Sequence, residues 1–350
     1  MQAVLLSNSV ESQLRPLTDT IPEPLLLIEL EPALDLIIRR LETAGINEVV
    51  VFDRACAREI GALVQSRRYR AWVQVLPEPE LAGDAGALKQ IERVIHGTFL
   101  VGSINSIFAL DLRALIEAHF RHSALVTVAS PKPAMKAGGN GGARRVWPIE
   151  SPTFAERLNG TAAYVMEPRV LASISRQGSH AIARDLLPLL IREEKPVFAA
   201  EISTRSGALD SLENYLQSQR GFLHASYADG FIHPSVTIAP DVQLKPPFFI
   251  GPASRLERGA IVGPDTILSA DVVIGAGSRV SDSMIYPGVR IGSRCSIQHS
   301  LMAPDVCLLD DVTLEPNVIV GAGAHIRSQS VLRAGARVTP NSSFVQQLSA

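Results

Sequence analysis

The second part of the sequence repeats with a period of six residues. Two steps of five residues interrupt the series, one before Ile285 and one before Leu314. Neither a helix nor an ordinary alternating strand has this period, whereas stacked coils of short strands, each with one aliphatic residue inside, do. The sequence therefore predicts a parallel β-helix. The nineteen predicted interior positions are Ile232, Ile238, Leu244, Ile250, Leu256, Val262, Leu268, Ile274, Val280, Ile285, Ile291, Ile297, Ala303, Leu309, Leu314, Val320, Ile326, Leu332 and Val338.

Small and turn-forming residues between these positions predict the corners of the coils. Gly275–Gly277 follow one interior residue, and Gly263–Asp265 follow another. The pattern resembles left-handed hexapeptide-repeat β-helices, in which three strands make one coil, so that nineteen repeats make about six coils. We assign residues 227–343 to this β-helix and residues 344–350 to a C-terminal tail.

Residues 1–226 alternate strand-like and helix-like patterns, which indicates a doubly wound, mostly parallel sheet. The predicted strands are Ala3–Leu6, Glu48–Phe52, Trp72–Leu76, Thr98–Val101, Ala124–Val128 and Ala162–Met166, and the clearest helices are Pro32–Ala44 and Leu110–Phe120. The glycine-rich stretch Lys136–Arg145 lacks the strand-then-helix context of a phosphate site, and we interpret it as a flexible hairpin tip.

Composition excludes several classes of protein. The chain has 350 residues and a formal net charge of -2, so it carries no global basic field for nucleic acid or an anionic membrane. The three cysteines, Cys56, Cys295 and Cys307, are widely spaced and favour a reduced, cytoplasmic protein. The sequence shows neither a signal pattern nor an apolar run long enough to span a membrane.

Several motifs carry a resemblance to a known family. They are LRPLTDTIP from Leu14, GDAGALK from Gly83, AAYVMEP from Ala162 and DLLPLLIREEKPVFAAEI from Asp185. The chain resembles the nucleoside-diphosphate-sugar pyrophosphorylases, also called sugar-1-phosphate nucleotidyltransferases. Its two-domain order resembles mannose-1-phosphate guanylyltransferases and glucose-1-phosphate adenylyltransferases, and it is slightly more similar to the former. The resemblance implies an α/β fold: a Rossmann-like nucleotidyltransferase domain in residues 1–226 with a mixed, mostly parallel sheet, followed by the left-handed β-helix.

The chain departs from the family where the family binds phosphate. The family's loop Gly-Gly-x-Gly-Thr-Arg stands here at Asn8–Gln13, which places Asn8, Ser9, Glu11 and Gln13 at its glycines and arginine. The lysine of the family's Pro-Lys-Pro is Glu23. A later Glu-Lys-Pro is Glu150-Ser151-Pro152, so Ser151 replaces the lysine that meets the sugar phosphate. Phosphate-binding cations are therefore missing, and two carboxylates have been added.

The positions that hold magnesium in the family have also changed. Asn105 stands where the family's Asn-Gly-Asp motif supplies an aspartate, and gapless counting places Ala208 at the second one. Asp210 reaches that position only if two residues are deleted after it. We therefore expect no metal and no other cofactor, with Mg²⁺ as the alternative if the chain is active.

Part of the family's pocket is retained. Arg15 survives, as do Gly83 and Gly86 of the loop that wraps the base, where Asp84 replaces a threonine. With Asn8, Ser9, Glu11 and Glu150, these residues are candidate remnants of a nucleotide or sugar site.

We predict a catalytically inactive protein that senses a nucleotide sugar or acts as a regulatory or scaffold subunit. We expect it to form a homo-oligomer or a hetero-oligomer with an active paralogue. The alternative is an active pyrophosphorylase that transfers a nucleotidyl group from a nucleoside triphosphate to a sugar 1-phosphate.

Histidines offer two further hypotheses. His299 is a candidate general base if the β-helix were an acyltransferase, although the sequence shows no paired acid, which favours a structural role. His119 and His122 lie three apart around a helix end, but the sequence shows no third metal ligand. We expect both to be solvated.

Overall fold

The protein forms two compact units. A computed structural model describes residues 1–6, 13–28, 30–53, 56–77, 83–103, 107, 110–132, 145–148, 163–175, 178–203 and 211–344. The first unit comprises Met1–Val10 and Glu31–Ser206, and the second comprises Glu11–Leu30 and Gly207–Ala350. The predicted boundaries at residues 226 and 343 stay predictions.

An eight-stranded sheet organises the first unit. Its strands are β1 (Gln2–Leu6), β2 (Glu48–Asp53), β3 (Trp72–Pro77), β4 (Phe99–Ser103), β5 (Val126–Lys132), β6 (Arg145–Pro148), β7 (Tyr164–Met166) and β8 (Val197–Ser203). Their order is β3-β2-β1-β4-β7-β5-β8-β6, with β7 antiparallel to β4 and β5, and β6 antiparallel to β8. The other pairs are parallel, which confirms the mixed, mostly parallel sheet.

Helices separate most of these strands. They are α1 (Ala33–Thr43), α2 (Ala57–Ser66), α3 (Gly83–Gln90), α4 (Leu112–Arg121) and α5 (Leu187–Arg192), with short helical segments at Pro168–Ser173 and Ile182–Leu186. The side chain of Asp111 accepts a hydrogen bond from the Ala114 N–H at 3.2 Å and so fixes the start of α4. Both helices named in the sequence analysis are confirmed with shifts of one or two residues at their ends.

Short parallel strands build the second unit. Among the described residues they form three sheets of seven, seven and six strands, in which each strand pairs with the strand one coil away. This arrangement confirms a parallel β-helix, and its left hand stays a prediction. The strands are Phe231–Ile232, Thr237–Ile238, Gln243–Leu244, Phe248–Ile250, Arg255–Leu256, Ile261–Val262, Thr266–Leu268, Val273–Ile274, Arg279–Ser281, Met284–Ile285, Arg290–Ile291, Ser296–Gln298, Leu301–Met302, Cys307–Leu308, Thr313–Leu314, Ile319–Val320, His325–Ile326, Val331–Leu332, Arg337–Val338 and Ser343–Phe344.

Other elements complete the second unit. A long helix, α6, spans Leu212–Ser226, and short 3₁₀ helices lie at Leu17–Asp19 and Glu23–Leu25. Two-residue strands occur at Leu27–Ile28 in this unit and at Glu31–Pro32 in the first unit. No helix in the described part of the chain is both long and apolar enough to cross a membrane.

Two predicted interior positions of the β-helix are wrong. Met302 pairs with Ile285 in the preceding coil, so the interior residue is Met302 and not Ala303. Leu308 pairs with Ile291 and is 1% exposed, whereas Leu309 is 48% exposed. The second five-residue step therefore comes before Met302. Met302 and Ala303 are both apolar, as are Leu308 and Leu309, so the sequence pattern alone did not locate the five-residue step.

The prediction that His119 is solvated is also wrong. His119 on α4 is 1% exposed, and its Nδ1 lies 3.0 Å from Thr127 Oγ1. Its Nε2 lies 3.2 Å from Glu167 Oε1. His122 is exposed at the end of α4 and its ring packs 5.3 Å from that of Phe198. Among the described residues, no group of three His, Cys, Asp or Glu side chains is placed to hold a metal ion.

The corrected register predicts opposite effects for two adjacent leucines. We expect Leu308→Ala to lower the free energy of unfolding by about 2–5 kcal/mol, because it leaves a cavity between coils. We expect Leu309→Ala to change it by less than about 0.5 kcal/mol, because that side chain already meets solvent. Chemical denaturation of the two variants measures the difference, and equal effects would contradict the register.

Burial of His119 predicts a pH-dependent stability. Burial lowers the pKa of His119 from its ordinary value of 6.5, although Glu167 opposes the shift. Below pH 6.5 the folded state therefore binds fewer protons than the unfolded state. The contribution of His119 to the free energy of unfolding is fully present above that pH and is lost as the pH falls towards the pKa of the folded state. We expect His119→Gln to flatten this slope, which for one proton is at most about 1.4 kcal/mol per pH unit.

Denaturation series between pH 7.5 and 5 would measure the slope of His119→Gln. The matched control is His122→Gln, which removes an exposed histidine three residues away and should leave the slope of the wild type unchanged. A His119→Gln slope equal to that of the wild type would show that His119 titrates in the folded state as it does in the unfolded chain.

Candidate functional site

The predicted site residues fall into three groups. Gly83, Asp84 and Gly86 lie at the start of α3 in the first unit. Gln13, Arg15 and Glu23 lie in the N-terminal segment of the second unit. The remaining predicted positions, Asn8, Ser9, Glu11, Asn105, Glu150, Ser151 and Ala208, are outside the described residues, as is most of the loop Lys136–Arg145. Their roles stay predictions.

Gly83 allows a close backbone approach. Its φ is +68°, and a Cβ on this residue would lie 2.4 Å from the carbonyl oxygen of His180. The same oxygen accepts a hydrogen bond from the Ala85 N–H at 3.0 Å. A side chain at position 83 would therefore push the segment around residue 180 away from the start of α3.

Asp84 ties the start of α3 to the start of the helical segment Ile182–Leu186. Its Oδ1 accepts hydrogen bonds from the N–H groups of Ile182, at 2.7 Å, and Ala85, at 2.8 Å. Burial raises the pKa of Asp84, the backbone hydrogen bonds lower it, and nearby Asp185 adds to the rise. The residue that replaces the family's threonine therefore acts as a cap within the unit.

Tyr164 is a polar residue that the sequence analysis did not single out. It lies on β7 and is 3% exposed, and no described group forms a hydrogen bond with its hydroxyl. Burial raises the pKa of Tyr164, and the carboxylate of Asp84 raises it further. A buried hydroxyl therefore lies near enough to Asp84 to feel the charge of its carboxylate. The only sequence signal was a tyrosine inside an apolar strand.

A cavity of about 480 Å³ opens beside α3. Lys89 is largely buried, and its Nζ donates to Glu92 Oε1 at 2.7 Å and to the Leu171 carbonyl oxygen at 2.8 Å. Gly86 is the predicted site residue that lines this cavity. Two cations and one carboxylate give the lining a net positive charge, which suits a polar or anionic ligand. The lining consists of Gly86, Lys89, Gln90, Glu92, Arg93, Ser175 and Gly178.

The second unit holds the other predicted residues near solvent. Gln13 and Arg15 are exposed, and Arg15 Nε lies 3.3 Å from Asp19 Oδ1. An ion pair this exposed contributes little to stability. Glu23 is half-buried at the start of the 3₁₀ helix Glu23–Leu25. The segment therefore presents a carboxylate at the position of the family's lysine.

Three side chains fix this segment at Leu27. Its carbonyl oxygen accepts hydrogen bonds from Tyr215 Oη and Gln219 Nε2, both at 2.6 Å, and its N–H donates to Tyr286 Oη at 3.2 Å. The two tyrosine hydroxyls lie 2.9 Å apart. Burial raises the pKa of Tyr286 to about 12 and that of Tyr215 well above its ordinary value. Both hydroxyls are therefore neutral, which the hydrogen-bond network requires.

The prediction that His299 has no acidic partner is wrong. Its Nδ1 lies 2.6 Å from Asp282 Oδ2, and its Nε2 lies 3.0 Å from Glu213 Oε2. A carboxylate contacts each ring nitrogen, so neither nitrogen is directed to a position where a substrate would lose a proton. The contacts join α6 to a corner of the β-helix, which supports the structural interpretation of His299.

Successive coils extend this contact along one corner. Asp265, Asp282 and His299 share a positive φ of 47–55° and lie seventeen residues apart. The contacts from α6 are His224 to Asp265 at 2.9 Å, Arg220 to Asp282 at 3.0 Å, and Glu213 to His299 at 3.0 Å. The helix therefore runs along the corner, and the charges at each contact are complementary once the histidines are protonated.

At the two positions where we predict the family's magnesium ligands, the residue types differ from those that a magnesium ion prefers. Mg²⁺ prefers carboxylate oxygens, whereas Asn105 offers an amide and Ala208 offers no donor atom. Both positions lie outside the described residues.

Comparison with known proteins gives consistent matches. Residues 2–200 match the family described as Nucleotidyl transferase, and residues 244–349 match the family described as GMPPB C-terminal domain. A UTP--glucose-1-phosphate uridylyltransferase of Synechocystis sp. is 23% identical over 345 residues, which cover 88% of each chain. A mannose-1-phosphate guanyltransferase of Pichia angusta is 27% identical over 209 residues, 56% of this chain and 57% of that protein. The match to residues 2–200 covers more than half of this chain. The chain therefore belongs to the nucleotidyl transferase family.

Proposed function

We propose that this member of the sugar-nucleotidyltransferase family does not transfer nucleotidyl groups and acts as a nucleotide-sugar-sensing or regulatory subunit. The observation that carries the proposal is the change of charge at Gln13 and Glu23. By the resemblance of LRPLTDTIP and its surroundings to the family, the family has an arginine and a lysine at these two positions. A triphosphate bound next to Gln13 and Glu23 would therefore meet one carboxylate and no cation from these two residues.

The size of this electrostatic effect supports the loss of activity. One carboxylate about 4 Å from a phosphate oxygen costs on the order of 4 kcal/mol at an effective dielectric of about 20, which is roughly a thousandfold in binding or rate. The lysine that Glu23 replaces would have contributed an attraction of similar size. One retained arginine, Arg15, is too little to offset both changes, and it already lies against Asp19.

The retained structure around α3 supports binding. Gly83 keeps the turn that brings His180 close to Ala85, and Gly86 lines a cavity with a net positive charge. A nucleotide sugar carries two phosphates and fewer negative charges than a triphosphate with a sugar 1-phosphate. The site is therefore better suited to hold a product-like ligand than to assemble two anionic substrates.

An active enzyme is the second candidate function. The relatives that match the chain are named as uridylyltransferases and guanyltransferases. In that case the chain would transfer a nucleotidyl group from a nucleoside triphosphate to a sugar 1-phosphate and would need Mg²⁺ held by residues other than Asn105 and Ala208.

We also propose that the chain works in the cytoplasm and associates with further copies or with an active paralogue through the β-helix. Its three cysteines are free, which suits a reducing compartment. The first coil is incompletely covered, since Ile232 is 40% exposed and Ile238 and Leu244 are half-buried. A partner over this apolar end would remove it from water.

An activity assay tests the proposal directly. We expect the purified chain to form no nucleotide sugar from GTP, UTP or ATP, sugar 1-phosphates and Mg²⁺, because cations and carboxylates that the reaction needs are absent. Product formation would be followed by release of pyrophosphate. A regulatory role predicts that the chain changes the rate of an intact paralogue in the same assay. Turnover by the chain alone that is lost in Arg15→Ala would establish the active enzyme.

Restoring the family's charges should restore triphosphate binding. We expect Gln13→Arg with Glu23→Lys to increase the affinity for GTP or UTP at least tenfold, measured by titration calorimetry without magnesium. The matched control is Gln65→Arg with Glu59→Lys on the exposed side of α2, which adds the same charge elsewhere. Equal affinities of the two double variants would mean that Gln13 and Glu23 do not face the bound triphosphate.

A further inference from the structure

The edge strand β3 has backbone groups available for pairing. Among the described strands it pairs only with β2. The Trp72 N–H donates to the Asn47 carbonyl oxygen at 2.8 Å and so points towards β2. Because N–H and C=O groups alternate sides along a strand, Gln74 and Leu76 also point towards β2, whereas Val73 and Val75 point to the open edge.

Within the described residues, this edge lacks the usual protection against pairing. No charged residue, bulge-forming glycine or proline interrupts Trp72–Leu76. Trp72 is 54% exposed, and the next four residues are half-buried. Natural proteins cover or charge such edges unless a strand pairs with them.

The strand is complementary to itself in one antiparallel register. Hydrogen-bonded pairs in an antiparallel ladder require two residues that both point to the open edge. Placing Gln74 opposite Gln74 of a second copy brings Val73 opposite Val75 at two symmetric positions, which gives four hydrogen bonds. The ladder ends at the next position, because the Ala71 N–H already donates to Glu42 Oε1 at 2.9 Å and Pro77 has no N–H.

Neighbouring registers are less favourable. Moving the centre to Val75 would place Pro77 opposite Val73 and remove a donor from the ladder. Moving it to Val73 would place the exposed cation of Arg70 opposite the apolar Leu76.

The side chains agree with the register centred on Gln74. It places the exposed Trp72 opposite Leu76, an apolar cross-strand pair. Arg68 and Arg70, both exposed, precede the strand, and the sequence that follows it carries glutamates at positions 78 and 80. The charges before and after the strand therefore have opposite signs, which suits an antiparallel pair of identical strands.

We propose that β3 pairs antiparallel with β3 of a second copy of this chain around a two-fold axis at Gln74, and so joins two eight-stranded sheets. The interface belongs to the first unit, so it is separate from the association proposed for the β-helix and does not depend on the proposed function. A strand from an unrelated protein is the competing occupant, and it would leave the purified chain without this contact.

Charge at position 74 tests the register. Gln74→Lys and Gln74→Glu each place two like charges opposite each other on the two-fold axis, which is destabilising. We expect each variant alone to have half the mass of the wild type by light scattering at 50 µM, and an equimolar mixture to regain the wild-type mass. If β3 forms the sole contact, these masses are 37.6 kDa for one chain and twice that for the pair.

A second variant separates assembly from folding. Val75→Pro removes an N–H that points to the open edge and no hydrogen bond to another described residue, so it should halve the mass with little change in circular dichroism or Tm. Gln74→Pro is the matched control, because it removes a hydrogen bond to β2 and should lower Tm. A monomeric wild type, a mass unaffected by Gln74→Lys, or a mixture that stays at half mass would each overturn the proposal.

Discussion

Each coil of the β-helix is stable only because the next coil covers its apolar interior. This constraint decides which residues point inwards and where the corners fall. Val262, Val280 and Ile297 meet in successive coils, and each such side chain contributes about 1.5–3 kcal/mol on burial. Polar groups that the stacking buries are satisfied locally, as where Ser278 Oγ donates to the Gly292 carbonyl oxygen at 2.6 Å and accepts from the Cys295 N–H at 2.9 Å. The regular corners in turn give α6 its evenly spaced partners.

Periodicity made most of the fold predictable from the sequence. The six-residue period located nearly every interior residue, and apolar runs located six of the eight described strands of the sheet to within a few residues, whereas β6 and β8 were not predicted. The step before Met302 was misplaced because Met302 and Ala303 are both apolar, as are Leu308 and Leu309, and only pairing with the previous coil distinguishes them. A local pattern has no information about that pairing.

The site was less predictable because its contacts join distant parts of the chain. His299 meets Glu213 from a helix 86 positions earlier, and Leu27 meets Tyr286 across 259 positions. No spacing rule connects such residues. Asp84 illustrates a second difficulty, since the sequence showed an acid in a ligand-binding loop and the structure shows that acid holding the Ile182 N–H. A residue type predicts which hydrogen bonds a side chain can form, but its neighbours decide whether it forms them within the protein or with a ligand.

The hydrogen bonds at Leu27 have a consequence for how the gene can be divided. The segment that carries Arg15 and Glu23 lies at the start of the chain, yet a hydroxyl from the β-helix, that of Tyr286, accepts the N–H of Leu27. A chain cut after residue 226 would keep the segment and α6 but lose this acceptor, and Tyr215 would lose a partner as well. Recombination that exchanged the β-helix for another would therefore also alter the surroundings of the segment. A tyrosine at position 286 is therefore a requirement of the N-terminal segment as well as of the β-helix.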